Sequence, residues 1–204
     1  MNKVNSDVLV YIVDDDAAIR HSLEMLMQSV GHKFKSYGSA RAFLDSFDPS
    51  IPGCLLLDVR MPEISGLDLQ HLLNQDKIKI PVIIITGHGD VPMAVRAMKQ
   101  GAVDFIEKPF HDQNLLDSIA KALAKSLDIQ QQQNNQSKYF EQLSKLSPRE
   151  RQVMEVLVAG KHSKVIASEL GISPKTVDVH RGHIMEKMHV KSLVELVRLS
   201  MANL

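Results

Sequence analysis

The sequence predicts an α/β fold, a doubly wound parallel sheet of five strands, followed by a separate all-α domain of four helices. Three observations support this prediction. Short runs of apolar, often β-branched residues alternate with helical patterns along the first half of the 204 residues. Two of these runs, residues 55–57 and 82–85, are apolar throughout, as in central strands buried on both faces of a parallel sheet. Beyond a glutamine-rich stretch, only helical patterns occur.

Five β-α units follow one another in the first half, as a doubly wound sheet with right-handed crossovers requires. The expected strands are residues 8–13, 33–37, 54–57, 82–86 and 103–106, of which the second is the weakest. The expected helices are residues 17–29, 39–47, 66–74, 92–100 and a long one from His111.

A polar segment marks the boundary between the two halves. The apolar spacing of the fifth helix fades near Asp128, and residues 130–136 are all Gln or Asn. Such a segment has nothing to bury, so it is either a solvated extension of the helix or a flexible linker. We therefore expect one domain at residues 1–127, a helical or Gln-rich linker at 128–145 and a second domain at 146–204.

The second domain begins with a helix-start pattern. Ser147 is expected to be the N-cap, with Pro148 at the first helical position and Glu150 completing a capping box. Gly160 is the expected C-cap of this helix. The later helices are expected at residues 163–170, from Pro174 to about residue 188, and from Ser192 onwards.

The composition predicts a cytoplasmic protein. A single cysteine, Cys54, excludes a disulfide framework and suits a reducing compartment. No apolar run approaches the roughly 20 residues that span a bilayer, so no membrane partner is expected. Residues 1–127 carry 13 Lys and Arg against 16 Asp and Glu, whereas residues 128–204 carry 11 against 8. This asymmetry suggests different partners for the two halves.

Functional groups in a doubly wound sheet gather at the carboxyl ends of the strands. Those positions hold Asp14, Asp15 and Asp16 after the first strand, Asp58 after the third, Thr86 after the fourth and Lys108 after the fifth. Clustered carboxylates repel one another unless a hard cation lies among them, and oxygen ligands favour Mg²⁺. A metal beside a free carboxylate, an ammonium and a hydroxyl group can accept and hold a phosphoryl group.

This set of residues resembles the receiver domain of two-component response regulators, which has a flavodoxin-like fold. The resemblance covers about residues 5–127. Its motifs are Ile-Val-Asp-Asp-Asp at 12–16, Leu-Asp-Val-Arg-Met-Pro at 57–62 with Ser65-Gly66, Thr-Gly-His-Gly at 86–89, and Asp-Phe-Ile-Glu-Lys-Pro at 104–109.

The resemblance implies that Asp58 accepts a phosphoryl group from a sensor histidine kinase. It also implies that Mg²⁺ is bound directly by Asp15, through water by Asp14, by Asp58, and by the backbone carbonyl of Arg60. Phosphatases of the haloacid dehalogenase class place a second Asp where this chain has Arg60, so we reject that alternative and do not expect an enzyme.

The same resemblance assigns the switch residues. Thr86 and Lys108 would hold the phosphoryl oxygens, and Phe105 would be the aromatic residue that turns inward when Thr86 moves. The Lys108–Pro109 bond is expected to be cis. Each residue alone has a plainer interpretation: Phe105 is a core residue, and Asp16 is an N-cap rather than a ligand.

The pattern of the second domain predicts a helix-turn-helix, in which the second helix enters the DNA major groove. The run from Leu146 to Met188, with Gly160, Gly171 and Pro174 at its helix boundaries, resembles the LuxR-type helix-turn-helix of the FixJ/NarL family of response regulators. This resemblance covers residues 146–204, and with residues 85–94 it is greatest to FixJ-like transcriptional activators.

The expected DNA contacts lie on the two helices of this motif. Phosphate contacts are expected from Lys161, Ser163 and Lys164 and, in the first turn of the recognition helix, from Lys175 and Thr176. Candidates for base edges are Asp178, Val179, Arg181 and Gly182. Val179 could meet a thymine methyl group. Arg181 is the best candidate for a bidentate contact, with a simple phosphate contact as the alternative.

Two further features of this domain have alternatives. His180 and His183 are three residues apart on one helix, but no cysteine or carboxylate stands at matching spacing, so packing or a phosphate contact is expected rather than metal binding. The last helix, residues 193–199, carries more apolar residues than a small core needs. It is expected to dimerise by family resemblance, or simply to close the core, and both can hold.

The sequence therefore predicts a two-domain transcription regulator, an activator, whose dimerisation and DNA binding are switched by phosphorylation of Asp58. Its expected partners are a sensor histidine kinase, promoter DNA, a second copy of the chain once phosphorylated, and RNA polymerase. Pairing of two copies raises DNA affinity by effective concentration. The alternatives are a phospho-independent DNA-binding protein with the receiver as an interaction module, and an output domain that binds RNA or protein.

Overall fold

The computed structural model describes residues 8–87 and 89–203. The chain divides into two units, Met1–Gln130 and Gln131–Leu204. Within the described residues, no helix is both long and apolar enough to cross a lipid bilayer.

The first unit contains a parallel sheet of five strands. These are β1 (Leu9–Val13), β2 (Lys33–Tyr37), β3 (Gly53–Asp58), β4 (Val82–Thr86) and β5 (Asp104–Glu107). They lie in the order β2-β1-β3-β4-β5, and all four pairs are parallel. The predicted doubly wound sheet is therefore confirmed.

The apolar run before Asp58 forms the central strand of this sheet. Every residue of β3 is buried. Because side chains alternate along a strand, Leu55 and Leu57 join the core on one face of the sheet, while Cys54 and Leu56 join the core on the other. A strand packed on both faces holds the residue at its carboxyl end in a rigid position.

Four helices connect the strands: α1 (Ala17–Ser29), α2 (Ala40–Ser46), α3 (Gly66–Gln75) and α4 (Val91–Lys99). Side-chain caps set their first residues. Asp16 caps α1 by accepting hydrogen bonds from the backbone N–H groups of Ala18 and Ile19, which confirms its predicted role. Helix α4 begins at Val91, one residue before the predicted start, because Asp90 accepts from the Met93 N–H and is therefore the N-cap.

The fifth helix is long. Helix α5 (Asp112–Ser144) includes the whole Gln-rich segment, so of the two alternatives for residues 130–136 the structure shows the helical one. Gln131 and Asn135, one turn apart, hydrogen-bond through their side chains at 3.0 Å. Leu115 and Ile119 of α5 are buried in the first unit, and Tyr139 is buried in the second.

The second unit contains α6 (Pro148–Val158), α7 (Ser163–Leu170), α8 (Pro174–Lys187) and α9 (Leu193–Met201). The predicted capping box is present at the start of α6. The C-cap of α6 is Ala159 rather than Gly160, which follows it with a φ of +83°. Gly171 ends α7 in the left-handed conformation, which lets α8 begin three residues later. Val153, Ile166 and Val177 join these helices in one core.

Candidate functional site

The carboxyl edge of the sheet brings two carboxylates and a lysine together. The Lys108 Nζ atom lies 2.7 Å from Asp14 Oδ2 and 2.8 Å from Asp58 Oδ1. Both carboxylates are nearly buried, with Asp58 7% exposed. This contact joins residues that follow three different strands, as the sequence predicted for this edge.

The strand order explains this convergence. Strands β1 and β3 are neighbours, with Val13 opposite Leu57, so Asp14 and Asp58 leave the sheet side by side. Lys108 follows β5, two strands from β3, and its long side chain crosses the edge of β4. The Lys108 N–H donates to the Thr86 carbonyl at 2.8 Å, which ties the end of β5 to β4.

Backbone N–H groups hold the remaining carboxylate oxygens. Asp58 Oδ2 accepts from the Arg60 N–H at 2.6 Å, and Asp14 Oδ1 accepts from the Asp16 N–H at 2.9 Å. Arg20 donates a further hydrogen bond to the Asp14 carbonyl at 2.7 Å. Asp15 is exposed, so its carboxylate faces solvent beside the two buried ones. The edge thus contains two nearly buried carboxylates and one that is exposed to solvent.

Burial and neighbouring charges shift the pKa values of Asp58 and Lys108. Burial raises the pKa of Asp58, and the neighbouring Asp14 carboxylate adds to this, while Lys108 and the Arg60 N–H oppose it; the net pKa is above the usual range. Burial acts to lower the pKa of Lys108, but its bonds to Asp14 and Asp58 outweigh burial and raise it. Lys108 therefore keeps its positive charge. The negative charge of Asp58 is only partly compensated, because Lys108 is shared with Asp14.

The side chains of Thr86 and Phe105 both lie close to Gly89. A Cβ atom placed on Gly89 would be 2.9 Å from Phe105 Cε1 and 3.5 Å from Thr86 Cγ2. Thr86 is buried, and Phe105 is half-buried against the core on one face of the sheet. The Lys108–Pro109 bond is cis, as predicted. The proposed hydroxyl and aromatic switch residues, at the end of β4 and in β5, thus both lie next to Gly89 in the loop after β4.

Two glycines at this edge have roles that the sequence analysis did not assign. A Cβ atom on Gly66 would lie only 2.1 Å from the Asp58 carbonyl oxygen, so α3 begins in direct contact with the backbone of Asp58. Gly66 also donates its N–H to the Val59 carbonyl at 2.9 Å. Gly89 similarly makes room for the Phe105 ring. The Ser65-Gly66 and Thr-Gly-His-Gly motifs contained both glycines, but sequence alone does not show what approaches them.

The second unit places the predicted DNA contacts on the surface of α7 and α8 and just before α7. The exposed members of this set are Lys161, Lys164, Lys175, Thr176, Asp178, Val179 and Gly182, and the partly exposed members are Ser163 and Arg181. Lys161 is paired with Glu169 at 2.5 Å. The structure therefore leaves every predicted contact residue reachable from solvent.

A polar cluster links α7 to α8 on this face. Ser163 Oγ donates to Asp178 Oδ1 at 3.2 Å, and Arg181 Nη1 donates to Ser163 Oγ at 3.4 Å. Arg181 Nη1 also lies 3.7 Å from Asp178 Oδ1. This cluster orients the Arg181 guanidinium group, because two neighbours hold one of its nitrogen atoms.

Glu150 has more partners than the predicted capping box requires. Its Oε2 atom accepts from the Ser147 N–H at 2.8 Å and from Lys187 Nζ at 2.7 Å. Its Oε1 atom lies 3.5 Å from His183 Nδ1. The hydrogen bond from Lys187 contributes most to lowering the pKa of Glu150 to about 2. The fold thus brings a carboxylate to the histidines of α8, which sequence spacing did not indicate.

Comparison with known proteins identifies a family for each half of the chain. Residues 10–120 match the response regulator receiver domain family, and residues 144–200 match the bacterial regulatory proteins of the LuxR family. The nodulation protein W of Bradyrhizobium diazoefficiens is 45% identical over 198 residues, which cover 97% of this chain and 87% of that protein. The transcriptional regulatory protein FixJ of Rhizobium meliloti is 47% identical over 198 residues, 97% of each chain. The solved structure of the response regulator StyR matches with a TM-score of 0.85 and 42% identity, over 96% of this chain and 98% of that one.

The fold, the site and these matches define a two-component transcription regulator that is controlled by phosphorylation and carries a LuxR-type DNA-binding domain. The chain belongs to the FixJ-like response regulators. The resemblance inferred from the sequence is therefore confirmed at the level of family and fold.

Proposed function

We propose that Asp58 is the phosphoacceptor of this regulator and that a sensor histidine kinase phosphorylates it in the cytoplasm. One observation carries the proposal. The Asp58 carboxylate ends a fully buried strand, and each of its oxygens is held by one donor, Lys108 Nζ or the Arg60 N–H. A carboxylate that is fixed, accessible at one edge and short of compensating charge is suited to act as a nucleophile.

The proposed reaction transfers a phosphoryl group from a phosphohistidine of the kinase. An Asp58 carboxylate oxygen attacks the phosphorus atom, a P–O bond forms, and the P–N bond breaks with its electron pair remaining on the imidazole nitrogen. Lys108, which already contacts Asp58 at 2.8 Å, neutralises charge on the phosphoryl oxygens, and the Thr86 hydroxyl group donates to one of them. The product is an acyl phosphate on Asp58.

The same edge fits a hard divalent cation, Mg²⁺. Asp14 acts to raise the pKa of Asp58, and a bound cation would relieve this repulsion between the two carboxylates. Asp14, Asp15, Asp58 and the backbone carbonyl of Arg60 would hold the ion. When bound, Mg²⁺ neutralises negative charge on the oxygens of the transferred group.

Mass spectrometry of the full chain tests this assignment. Incubation with a small phosphodonor and Mg²⁺ is expected to add one phosphoryl group to the peptide that contains Asp58, and a chelator should prevent it. The Asp58→Asn variant should show no addition, whereas Asp76→Asn, a change at an exposed carboxylate at the end of α3, should behave as wild type. Equal phosphorylation of the Asp58→Asn variant would contradict the proposal.

Phosphorylation is proposed to pair two receiver domains through α4, β5 and α5. Movement of Thr86 would reposition Phe105, which lies in β5 across Gly89 from it. Helix α4 already exposes an apolar stripe at i, i+4 and i+7, where Val91 is 76%, Val95 45% and Met98 47% exposed. Sedimentation should show dimers of the phosphorylated wild type and monomers of a Val95→Asp variant that still accepts the phosphoryl group.

Helix α9 offers a second proposed dimer contact. Leu196 is buried in the core of the second unit, so the helix does close that core. Val194 and Met201, two turns apart, are 60% and 69% exposed on the other side. Paired domains would occupy neighbouring half-sites of a promoter and present the complex to RNA polymerase, as an activator does.

For DNA recognition we propose that Arg181 reads a base and that Lys175 contacts a phosphate. The Ser163–Asp178 cluster orients the Arg181 guanidinium group and leaves its other N–H groups available. Val179, 51% exposed on the same helix, is the candidate for an apolar contact.

Binding to DNA selected from a random pool tests these roles. Arg181→Ala should weaken binding by about 1–3 kcal/mol and relax the preference at one base pair. Lys175→Ala should weaken binding to all sequences and lower the salt slope by about 1. Arg41→Ala, an exposed change on α2 of the receiver, should alter neither. DNA binding that does not respond to the phosphodonor would favour the phospho-independent alternative.

A further inference from the structure

Three potential metal ligands meet where the start of α6 packs against the middle of α8. Glu150, His180 and His183 each offer one ligand atom, and these atoms all lie within 4.8 Å of one another. The histidines are three residues apart on one face of α8, and Glu150 lies 30 or more positions earlier in the chain. Sequence spacing gave no carboxylate partner for the histidines, but the helix packing of the second unit supplies one.

The carboxylate has one oxygen available for a ligand. Its Oε2 atom is occupied by the Ser147 N–H and by Lys187 Nζ. Its Oε1 atom faces His183 Nδ1 at 3.5 Å. Two ligands at about 2.0–2.1 Å from a tetrahedral Zn²⁺ ion are about 3.3 Å apart, so this pair is already close to ligand geometry. Glu150 can therefore bind a metal through Oε1 while Lys187 keeps Oε2.

The second histidine of this group also has a buried nitrogen atom without a partner. Within the described part of the chain, His180 Nδ1 is buried and has no hydrogen-bond partner. A buried polar atom without a partner is unfavourable, and a bound cation would offset this cost. His183 is exposed, so an ion can enter from solvent on that side.

We propose that Glu150, His180 and His183 form a binding site for a divalent transition-metal ion, with Zn²⁺ as the best fit. Two imidazoles and one carboxylate form a ligand set of the kind that binds zinc, with water at the fourth position, and imidazole ligands disfavour Mg²⁺ and Ca²⁺. The ion would connect the first turn of α6 to α8, the predicted recognition helix. This site is independent of the phosphoacceptor edge in the first unit.

Zinc binding to the full chain tests the proposal. Calorimetric titration with Zn²⁺ is performed on protein without a polyhistidine tag and in excess Mg²⁺, which keeps the receiver carboxylates occupied. Wild type is expected to bind one more Zn²⁺ than His183→Ala, or to bind it at least tenfold more tightly. His180→Ala should show the same loss. Co²⁺ in place of Zn²⁺ should give the visible absorption of a four-coordinate site in wild type but not in His180→Ala or His183→Ala.

The matched control is His162→Ala. His162 is an exposed histidine of the same domain, and its side chain makes no cap hydrogen bond to α7, so its removal leaves the structure intact. This variant should bind Zn²⁺ as wild type does. Equal Zn²⁺ binding by wild type, His180→Ala and His183→Ala would overturn the proposal, as would a loss in only one of the two histidine variants, because the site requires both imidazoles.

Discussion

Asp58 in the first unit and Glu150 in the second are both nearly buried carboxylates, and each binds a lysine. Asp58 Oδ1 lies 2.8 Å from Lys108 Nζ, and Glu150 Oε2 lies 2.7 Å from Lys187 Nζ. Each carboxylate also accepts one backbone N–H, from Arg60 and from Ser147. Despite these similar partners, the pKa of Asp58 is raised and that of Glu150 is lowered.

The surroundings of each pair explain the difference. Burial is the largest influence on Asp58, and Asp14 competes for the same lysine, so one ammonium serves two carboxylates. For Glu150 the hydrogen bond from Lys187 is the largest influence, and the helix N-terminus adds to it. The Glu150–Lys187 pair therefore stabilises the fold. The Asp58–Lys108 pair leaves the negative charge of Asp58 only partly compensated, at the residue that we propose as the phosphoacceptor.

The largest effect is expected at the glycine that packs on the Asp58 backbone. Gly66→Ala places a methyl group 2.1 Å from the Asp58 carbonyl oxygen, where neither backbone segment can yield without moving the strand end. We expect a loss of about 3 kcal/mol in the free energy of unfolding and slower phosphorylation. Urea unfolding measures the first effect and phosphodonor kinetics the second.

Gly87→Ala is the matched control, because a Cβ atom there would meet nothing within 4 Å. A Gly66→Ala protein as stable and as reactive as wild type would show that the contact between α3 and the Asp58 backbone does not hold the site.

Removing the charge of Glu150 should also destabilise the chain. Glu150→Gln keeps the size of the side chain but weakens its bonds to Lys187 and to the Ser147 N–H. We expect a loss of about 2 kcal/mol in the free energy of unfolding of the second unit. Glu186→Gln, an exposed change on α8, should have no measurable effect, and equal stability of the two variants would contradict the comparison.

Acid should reproduce the effect of this mutation. The pKa of Glu150 is about 2 in the folded state against an ordinary 4.5, so its stabilising contribution is present above pH 4.5 and is lost as the pH falls towards 2. That contribution is at most about 3 kcal/mol. The stability difference between wild type and Glu150→Gln, measured by urea unfolding across this range, should therefore shrink with falling pH. A constant difference would argue against the lowered pKa.

Gly182 in the second unit contrasts with Gly66, because the space around it is open. It lies inside α8, and a Cβ atom there would meet nothing within 4 Å. Gly182→Ala should raise the free energy of unfolding by about 0.8–1 kcal/mol because alanine favours the helix. Gly182 is also a predicted DNA contact, so the same variant should bind promoter DNA more weakly in a mobility-shift assay. Binding as strong as that of wild type would show that Gly182 does not contact DNA.

The smallest effect on stability is expected from neutralising the phosphoacceptor itself. The raised pKa of Asp58 means that the folded chain prefers a neutral side chain at this position above the usual pKa. Asp58→Asn, in the absence of Mg²⁺, should therefore be at least as stable as wild type in urea, although it cannot accept a phosphoryl group. A clear loss of stability would mean that Asp58 is held in the same way as Glu150.

Much of the fold followed from local patterns. The alternation of apolar runs and helical spacing located all five strands, and Asp16, Ser147 and Gly171 marked helix ends correctly. The predicted start of α4 is one residue late, because the cap that sets this start depends on a hydrogen bond to the Asp90 side chain. Caps and periodicity involve residues at most a few positions apart, so the sequence itself contains the interaction.

The sequence by itself determined the order of the elements, the family, and which residues reach the carboxyl edge of the sheet. Only the tertiary structure decided what those residues meet. Lys108 contacts side chains 94 and 50 positions away, and Lys187 contacts one 37 positions away. The pKa values of Asp58 and Glu150 shift in opposite directions because distant segments pack differently around them. The same packing places a carboxylate beside His180 and His183. Those quantities exist only in the folded chain, because the charge and solvent around a group are set by its neighbours in space.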